Sequence, residues 1–222
     1  MRAMILAAGR GERLRPLTDT CPKPLIKVGG KELLIWHIER LRQAGISEII
    51  VNSAWLSSMI VEFLGDGARF GVHIEHSVEE PGGLETAGGI IKALPFFEGS
   101  DFLVVNGDTY MDTDYREFIK TPLEGALARL FLTVNPPHNK QGDFAVSADH
   151  KLIKGSSYTF SGAALYSCRA FEGYSVQRLA LRSFFDRWIE NKEALAEILS
   201  GQWFDAGTVE RLKIIEDYIK AR

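Results

Sequence analysis

The residues with the most chemistry to offer stand near the start of the chain. Residues 3–8 are an apolar run, and Gly9-Arg10-Gly11-Glu12-Arg13-Leu14-Arg15-Pro16-Leu17-Thr18 follows directly. Pro22-Lys23-Pro24-Leu25 comes soon after. Glycines at 9 and 11 let backbone N–H groups approach a ligand with no Cβ in the way. Arg10, Arg13 and Arg15 carry forked donors that suit phosphate oxygens. Lys23 sits between two prolines, so its backbone is stiff and its ammonium can be aimed. A G-x-G turn alone is as well explained by a tight turn, and arginines alone by a solvated surface. Arg13, Pro16, Lys23 and Pro24 at these spacings point instead to a polyphosphate site, with Ala8, Gly9, Gly11, Glu12, Arg13 and Lys23 against the nucleotide.

Two common nucleotide loops are excluded. A Walker A loop requires G-x-x-x-x-G-K-[ST], and that string does not occur. A Rossmann fingerprint requires a third glycine where Leu14 stands, and Pro16 interrupts the helix that would follow. A hydride-transferring enzyme is correspondingly weakened.

Asp108 follows the apolar run 102–106 in Asn106-Gly107-Asp108. A carboxylate at the carboxyl edge of a sheet, beside a glycine, is placed to hold Mg²⁺, although a turn aspartate is the plainer alternative. Gly82-Gly83-Leu84-Glu85-Thr86-Ala87-Gly88-Gly89 offers glycines at a helix start, where a base can approach the backbone. Gly83, Glu85, Thr86 and Asn106 are therefore further nucleotide candidates. Glu80, or its neighbour Glu79, is a carboxylate able to accept from a base N–H. Uracil and guanine both present such a donor, so both remain open. His and Cys form no ligand cluster, which makes zinc improbable.

The opening segment resembles the signature of sugar-1-phosphate nucleotidyltransferases, G-x-G-x-R-L-x-P-L-T followed by P-K-P. The resemblance implies that the glycine loop wraps the nucleotide phosphates and that Lys23 contacts phosphate at the reacting end. It places a metal carboxylate at Asp108. Trp203-Phe204-Asp205-Ala206-Gly207-Thr208 resembles the family's W-x-D-x-G-T element, which makes Asp205 a second metal carboxylate rather than only a residue near a helix start. Arg13, Lys23, Asp108 and Asp205 become the catalytic set and Mg²⁺ the cofactor. Thr159-Phe160-Ser161-Gly162 resembles the sugar-contacting strand, so Ser161 and Gly162 join Asn139 and Asp143 as sugar candidates. Relatives carry glycine where Glu85 stands. Their E-K-P string before the sugar strand is missing, with Lys154 the nearest substitute.

Within the family, the strings Leu6-Ala7-Ala8-Gly9-Arg10-Gly11-Glu12-Arg13, Leu84-Glu85-Thr86, Gly142-Asp143-Phe144 and 159–162 are similar to short uridylyltransferases acting on N-acetylmuramate α-1-phosphate in peptidoglycan recycling. The implied partners are UTP and that sugar phosphate. Mannose-1-phosphate guanylyltransferases and glucose-1-phosphate thymidylyltransferases are the alternatives, and a non-catalytic nucleotide-sugar sensor is a third. Retention of Lys23, Asp108 and Asp205 argues against the sensor.

These residues need a scaffold. Apolar runs at 3–8, 48–52, 72–76 and 102–106 alternate with helical patterns at 34–41, 59–64 and 86–94. That alternation predicts an α/β fold, a Rossmann-like, mainly parallel sheet flanked by helices, with ligands beyond the carboxyl ends of the strands. Strands are expected at 126–134, 159–166 and 202–205, and helices at 176–200 and 208–219. The 222 residues suit a single domain, 1–222, with no hexapeptide repeats of the β-helix domain found in many relatives. A formal charge of −3 gives no basic field for nucleic acid. Two cysteines and no apolar stretch long enough for a membrane suit a cytoplasmic protein, monomeric or a small homo-oligomer.

Overall fold

The apolar runs at 3–8, 48–52 and 102–106 become parallel strands buried on both faces, the 72–76 run becomes an edge strand with only one face buried, and a helix separates each from the next. In the computed structural model, which describes residues 1–222, Arg2–Leu6 pairs in parallel with both Glu48–Ser53 and Phe102–Asn106. His73–Val78 adds in parallel beyond Glu48–Ser53. On the other side, Leu152–Tyr166 runs antiparallel to Phe102–Asn106 and to Ala128–Val134. Phe144–Val146 pairs with its first half, and Ala194–Ile198 closes that edge in parallel with Ala128–Val134. The mainly parallel sheet flanked by helices is thus the expected fold.

Alternation along the strands feeds two cores. Met4, Ile50 and Val104 face the cluster built with helices Glu85–Ala93 and Arg182–Glu190, around Ile90, Phe184 and Trp188. Ile5, Val51 and Val105 face the cluster built with Leu33–Gln43 and Ser57–Leu64, around Ile38, Leu41 and Ile60. A smaller third core lies beside the glycine loop. Leu14, Ile26, Leu33 and Tyr110 pack there against Leu212 and Ile215 of the closing helix Val209–Lys220. Thr208 caps that helix by accepting from Arg211 N–H. No helix is long and apolar enough to cross a membrane.

One expectation is corrected. Only Arg182–Glu190 of the predicted 176–200 helix is helical. It stops at Asn191, Lys192 takes a positive φ of 59°, and Ala194–Ile198 is a strand. Ala194 and Ala196 are buried while Leu195 and Glu197 are half-buried, which is the period of a strand. The residues are good helix formers, and sheet pairing overrides that propensity.

A small ladder that was not predicted sets up the site. Thr109–Asp112 pairs antiparallel with Gln202–Asp205, with Thr109 opposite Asp205. Ala206 N–H donates to the Asp108 carbonyl at 3.0 Å. Two aspartates far apart in sequence are thereby neighbours. His37 pins the same ladder from helix Leu33–Gln43. Its Nε2 lies 2.8 Å from the Thr109 carbonyl and its Nδ1 2.7 Å from the Tyr115 hydroxyl. A carbonyl only accepts, so Nε2 carries the proton and Nδ1 accepts from Tyr115. Burial pushes the His37 pKa down to about 4 and the Tyr115 phenol up.

A buried polar chain ties the parallel strands together at their carboxyl ends. Asn52 Oδ1 accepts from Ala7 N–H at 2.8 Å, and its Nδ2 donates to Glu79 Oε1 at 2.7 Å. Glu79 Oε2 accepts from Leu84 N–H at 2.7 Å. Register puts Leu6 level with both Asn52 and Asn106.

Two outcomes are expected. Asn52→Ala strands the Ala7 N–H and one oxygen of a buried carboxylate, and should cost about 3 kcal/mol in urea unfolding. His37 is held neutral in the fold but titrates near 6.5 when unfolded. Its contribution is full above pH 6.5 and is lost as pH falls toward 4, on the order of 3 kcal/mol in all. Urea titrations across that window should show a shallower pH slope for His37→Phe than for the parent chain.

Candidate functional site

The carboxyl ends of the parallel strands open into a cavity of about 540 Å³. Ala8, Gly9, Gly11, Glu12 and Arg13 line it from the glycine loop, and Lys23 and Asp108 from below. Gly83, Glu85, Thr86 and Asn106 line it from the remaining side. The predicted glycine loop, lysine and helix start therefore converge on one space.

The glycines serve different ends. A Cβ at Gly9 would meet nothing within 4 Å, so that backbone is open to a ligand. Gly11 has φ of +65°, and a Cβ there would lie 2.9 Å from Thr18 Cγ2 and 3.2 Å from Lys23 Cβ. Its carbonyl accepts from Leu14 N–H and from the Thr18 hydroxyl. Gly11 thus folds the loop down onto Lys23.

Lys23 is the most constrained cation. Its side chain is only 8% exposed, and Nζ lies 2.7 Å from Asp108 Oδ2. A buried ammonium requires such a partner. Arg10 lies over the Trp55 ring at 5.0 Å while lining the cavity. The Arg13 guanidinium stands near Gly207, 3.1 Å from where a Cβ would sit. Arg15 departs from the phosphate role expected of it: it turns outward to pair with Asp19 at 3.2 Å and is not in the lining.

Asp205 stands behind Gly207. Gly207 lines the first cavity, and its N–H donates to Asp205 Oδ1 at 2.9 Å. The carboxylate itself opens on an adjoining cleft of about 420 Å³, with His138, Trp203 and Arg211. Arg211 is 2.5 Å from Asp205 Oδ1. His138 Nε2 is 2.5 Å from Oδ2, yet the angle makes no hydrogen bond, and this buried oxygen is left unsatisfied. No group of three His, Cys, Asp or Glu side chains gathers to hold a metal. An ion here would take at most two carboxylates from the chain, Asp108 and Asp205.

Other predicted residues are dispersed. Glu80 is exposed and outside the lining, whereas Glu79 is buried in the lining and committed to Asn52 and Leu84. Ser161 is fully buried, and its hydroxyl donates to the Phe131 carbonyl at 2.6 Å, so it faces the sheet and not a ligand. The strand bulges between Phe160 and Ala163, which shifts its parity at this point. Gly162 packs on Asn106, where a Cβ would lie 2.5 Å from Nδ2. Asn139 and Asp143 lie outside the first cavity. Asp143 accepts from Asn139 at 3.2 Å and from Phe160 N–H at 2.8 Å, so the pair fastens the 135–143 loop to the long strand.

Sequence reasoning missed Asn52 and the inward place of Glu79. The signal for Asn52 was an asparagine ending an apolar run, the same pattern that marked Asn106. Three cations (Arg10, Arg13 and Lys23) and four carboxylates (Glu12, Glu79, Glu85 and Asp108) line the cavity. The carboxylates outnumber the cations by one, so the side-chain charge of the lining does not by itself favour a polyanion.

The nucleotidyl transferase family model matches residues 2–146. The chain is 47% identical over 221 residues to the N-acetylmuramate alpha-1-phosphate uridylyltransferase of Neisseria meningitidis serogroup B, with 96% of each chain covered. It is 39% identical over 148 residues to a UTP–glucose-1-phosphate uridylyltransferase of Synechocystis, covering 61% of this chain and 38% of that one. In structure it resembles a Bacillus anthracis chain assigned as a glucose-1-phosphate thymidylyltransferase. The TM-score is 0.89 at 24% identity, over 100% of this chain and 96% of that one, a likeness of fold. The matched region runs from the first strand through Lys23 and Asp108, and the chain belongs to the nucleotidyl transferase family.

Proposed function

We propose that this chain transfers the uridylyl group of UTP to N-acetylmuramate α-1-phosphate, forming a nucleotide sugar and releasing pyrophosphate. The observation that carries this is the 47% identity to the Neisseria enzyme of that name across 96% of both chains. The UTP–glucose-1-phosphate uridylyltransferase of Synechocystis, named for another sugar, is 39% identical over only 61% of this chain, and the glucose-1-phosphate thymidylyltransferase of Streptomyces antibioticus is 26% identical.

In the reaction, an oxygen of the sugar phosphate bonds to the α-phosphorus and the bond to the β-phosphate oxygen breaks. The nucleophile is already an anion, so no general base is needed, and the work is positioning and charge neutralisation. Lys23 draws two mutually repelling phosphates together at the reacting end. Arg13 and the open backbone at Gly9 stabilise the departing pyrophosphate. Asn106, Gly83, Glu85 and Thr86 form the nucleoside end, and Gly162 stands where the sugar strand meets Asn106.

Asp108 and Asp205 are the residues to hold a divalent cation. Mg²⁺ suits them, because hard oxygen donors from two carboxylates leave positions for phosphate oxygens and water. The lining's excess of carboxylates over cations and the unsatisfied Asp205 Oδ2 support the same choice. When bound, the ion supplies charge neutralisation and polarisation of the phosphates.

Pyrophosphate release over a panel of triphosphates and sugar 1-phosphates tests the reading. UTP with N-acetylmuramate α-1-phosphate should be turned over fastest, and a much faster alternative pair would overturn the substrate assignment. Lys23→Ala and Asp108→Asn should each lower turnover on the order of 10²–10³-fold with unchanged circular dichroism. Near-parental kinetics in either variant sinks the proposed roles.

A further inference from the structure

We propose that Arg178 sets the base selectivity of this site by holding the Glu85 carboxylate against the imide N–H of uracil. The inference rests on the uridylyl transfer proposed above and assigns a residue that the cavity lining does not contain.

Three carboxylates near the helix start could meet a base, and the geometry favours one. Both oxygens of Glu79 are engaged, by Asn52 and by Leu84 N–H. Glu80 is exposed and outside the cavity. Glu85 lines the cavity, and Arg178 Nε lies 3.0 Å from its Oε1. The other oxygen, Oε2, remains available to accept from a ligand N–H.

Glu85 is held at a conformational cost. It opens helix Glu85–Ala93 with φ of +57°, a region where glycine is at ease and a side chain costs about 1–3 kcal/mol. Glycine would relieve that strain at once, so the carboxylate itself is what this position keeps. The ion pair with Arg178 does not explain it through stability. Side-chain exposures of 71% for Arg178 and 40% for Glu85 mark it as a surface pair. Such pairs contribute at most about 1 kcal/mol to folding.

Arg178 is delivered to Glu85 by a strap. Leu179 N–H donates to the Leu84 carbonyl at 2.9 Å, and the Leu179 carbonyl accepts from Gly88 N–H at 3.1 Å. The helix has no side-chain N-cap, and the strap binds its first turn through the Gly88 N–H. The approach is close: a Cβ at Gly88 would lie 2.1 Å from the Gln177 carbonyl oxygen. The strap therefore fixes the backbone at Arg178 beside the start of the helix that carries Glu85.

Charge gives the arrangement its purpose. A bare carboxylate in a cavity that takes a triphosphate repels it. Arg178 approaches from outside the lining, offsets that charge and restricts the rotamer of Glu85. Arg178 is a positioning residue in this scheme, and Glu85 makes the contact.

The experiment compares steady-state kinetics with UTP and with N3-methyl-UTP, which lacks the imide N–H. The parent enzyme should favour UTP by at least about tenfold in kcat/KM, the worth of one charge-assisted hydrogen bond. Arg178→Ala should raise KM for UTP about tenfold, change kcat less than about twofold, and bring the two triphosphates to within about threefold of each other. Arg178→Lys should restore part of the preference. Glu85→Gly should abolish the preference while raising the thermal midpoint, because the strained φ is relieved. Loss of affinity for both triphosphates alike, with their ratio kept, marks a merely structural role and overturns the proposal. A parent enzyme indifferent to N3-methylation overturns it too. A parent enzyme that does not turn over UTP at all refutes the uridylyl reading itself.

Discussion

Lys23 cannot be where it is without Asp108. An ammonium whose side chain is 8% exposed has lost most of its hydration, and only a carboxylate 2.7 Å away makes that tolerable. Each partner comes from a different part of the chain. Lys23 is carried by the proline-flanked turn after the glycine loop, and Asp108 by the turn that ends the central strand Phe102–Asn106. Holding them together requires the third core, where Leu14 and Ile26 of the loop region meet Tyr110 and the closing helix. The two-stranded ladder and the buried His37 then fix the backbone just past Asp108. A charge pair at the sheet's edge thus accounts for elements that the large cores alone would not need.

The same edge shows how neutral and ionic partners divide the labour. Asn52 and Glu79 satisfy backbone donors of the first strand's end and of the loop at Leu84, so these two walls of the cavity are tied to each other. Glu79 commits one hydrogen bond on each of its oxygens to this task. Other groups at this edge have their charge balanced by an ionic partner instead: Lys23 by Asp108, Asp205 by Arg211, Glu85 by Arg178. Burial alone does not distinguish the two sets, since Lys23 and Glu79 are both buried.

The parts of this arrangement legible in sequence were those written in contiguous residues. Gly9 to Arg13, Pro22-Lys23-Pro24 and Asn106-Gly107-Asp108 carry their chemistry within a few positions. The parallel sheet was legible because strands buried on both faces leave continuous apolar runs between amphipathic ones. Parity was not legible. Strand His73–Val78 ends one residue before Glu79, so no alternation tells which of Glu79 and Glu80 points inward. Ser161 was assigned to the sugar on its motif, and the bulge beside it turned its hydroxyl to Phe131. Ala194–Ile198 has helix formers throughout, and only the pairing with Ala128–Val134 makes it a strand. Each of these misses is a long-range contact overruling a local preference.

Pairing also bears on how such a site can stand ready without its ligands. Two acids proposed for one cation would repel each other if both were bare, and the turn carrying them would spread. Here each has a cation of its own: Lys23 on Asp108, and Arg211 on Asp205 at 2.5 Å. The acids also face different cavities, with Gly207 as the partition between them. Their repulsion is screened by residues that a polyphosphate would itself attract. On the proposed function, a triphosphate entering beside Lys23 would compete with Asp108 for the ammonium, and the displaced carboxylate would be released to hold a metal. On that reading, substrate and metal affinity are in this way coupled through one buried lysine.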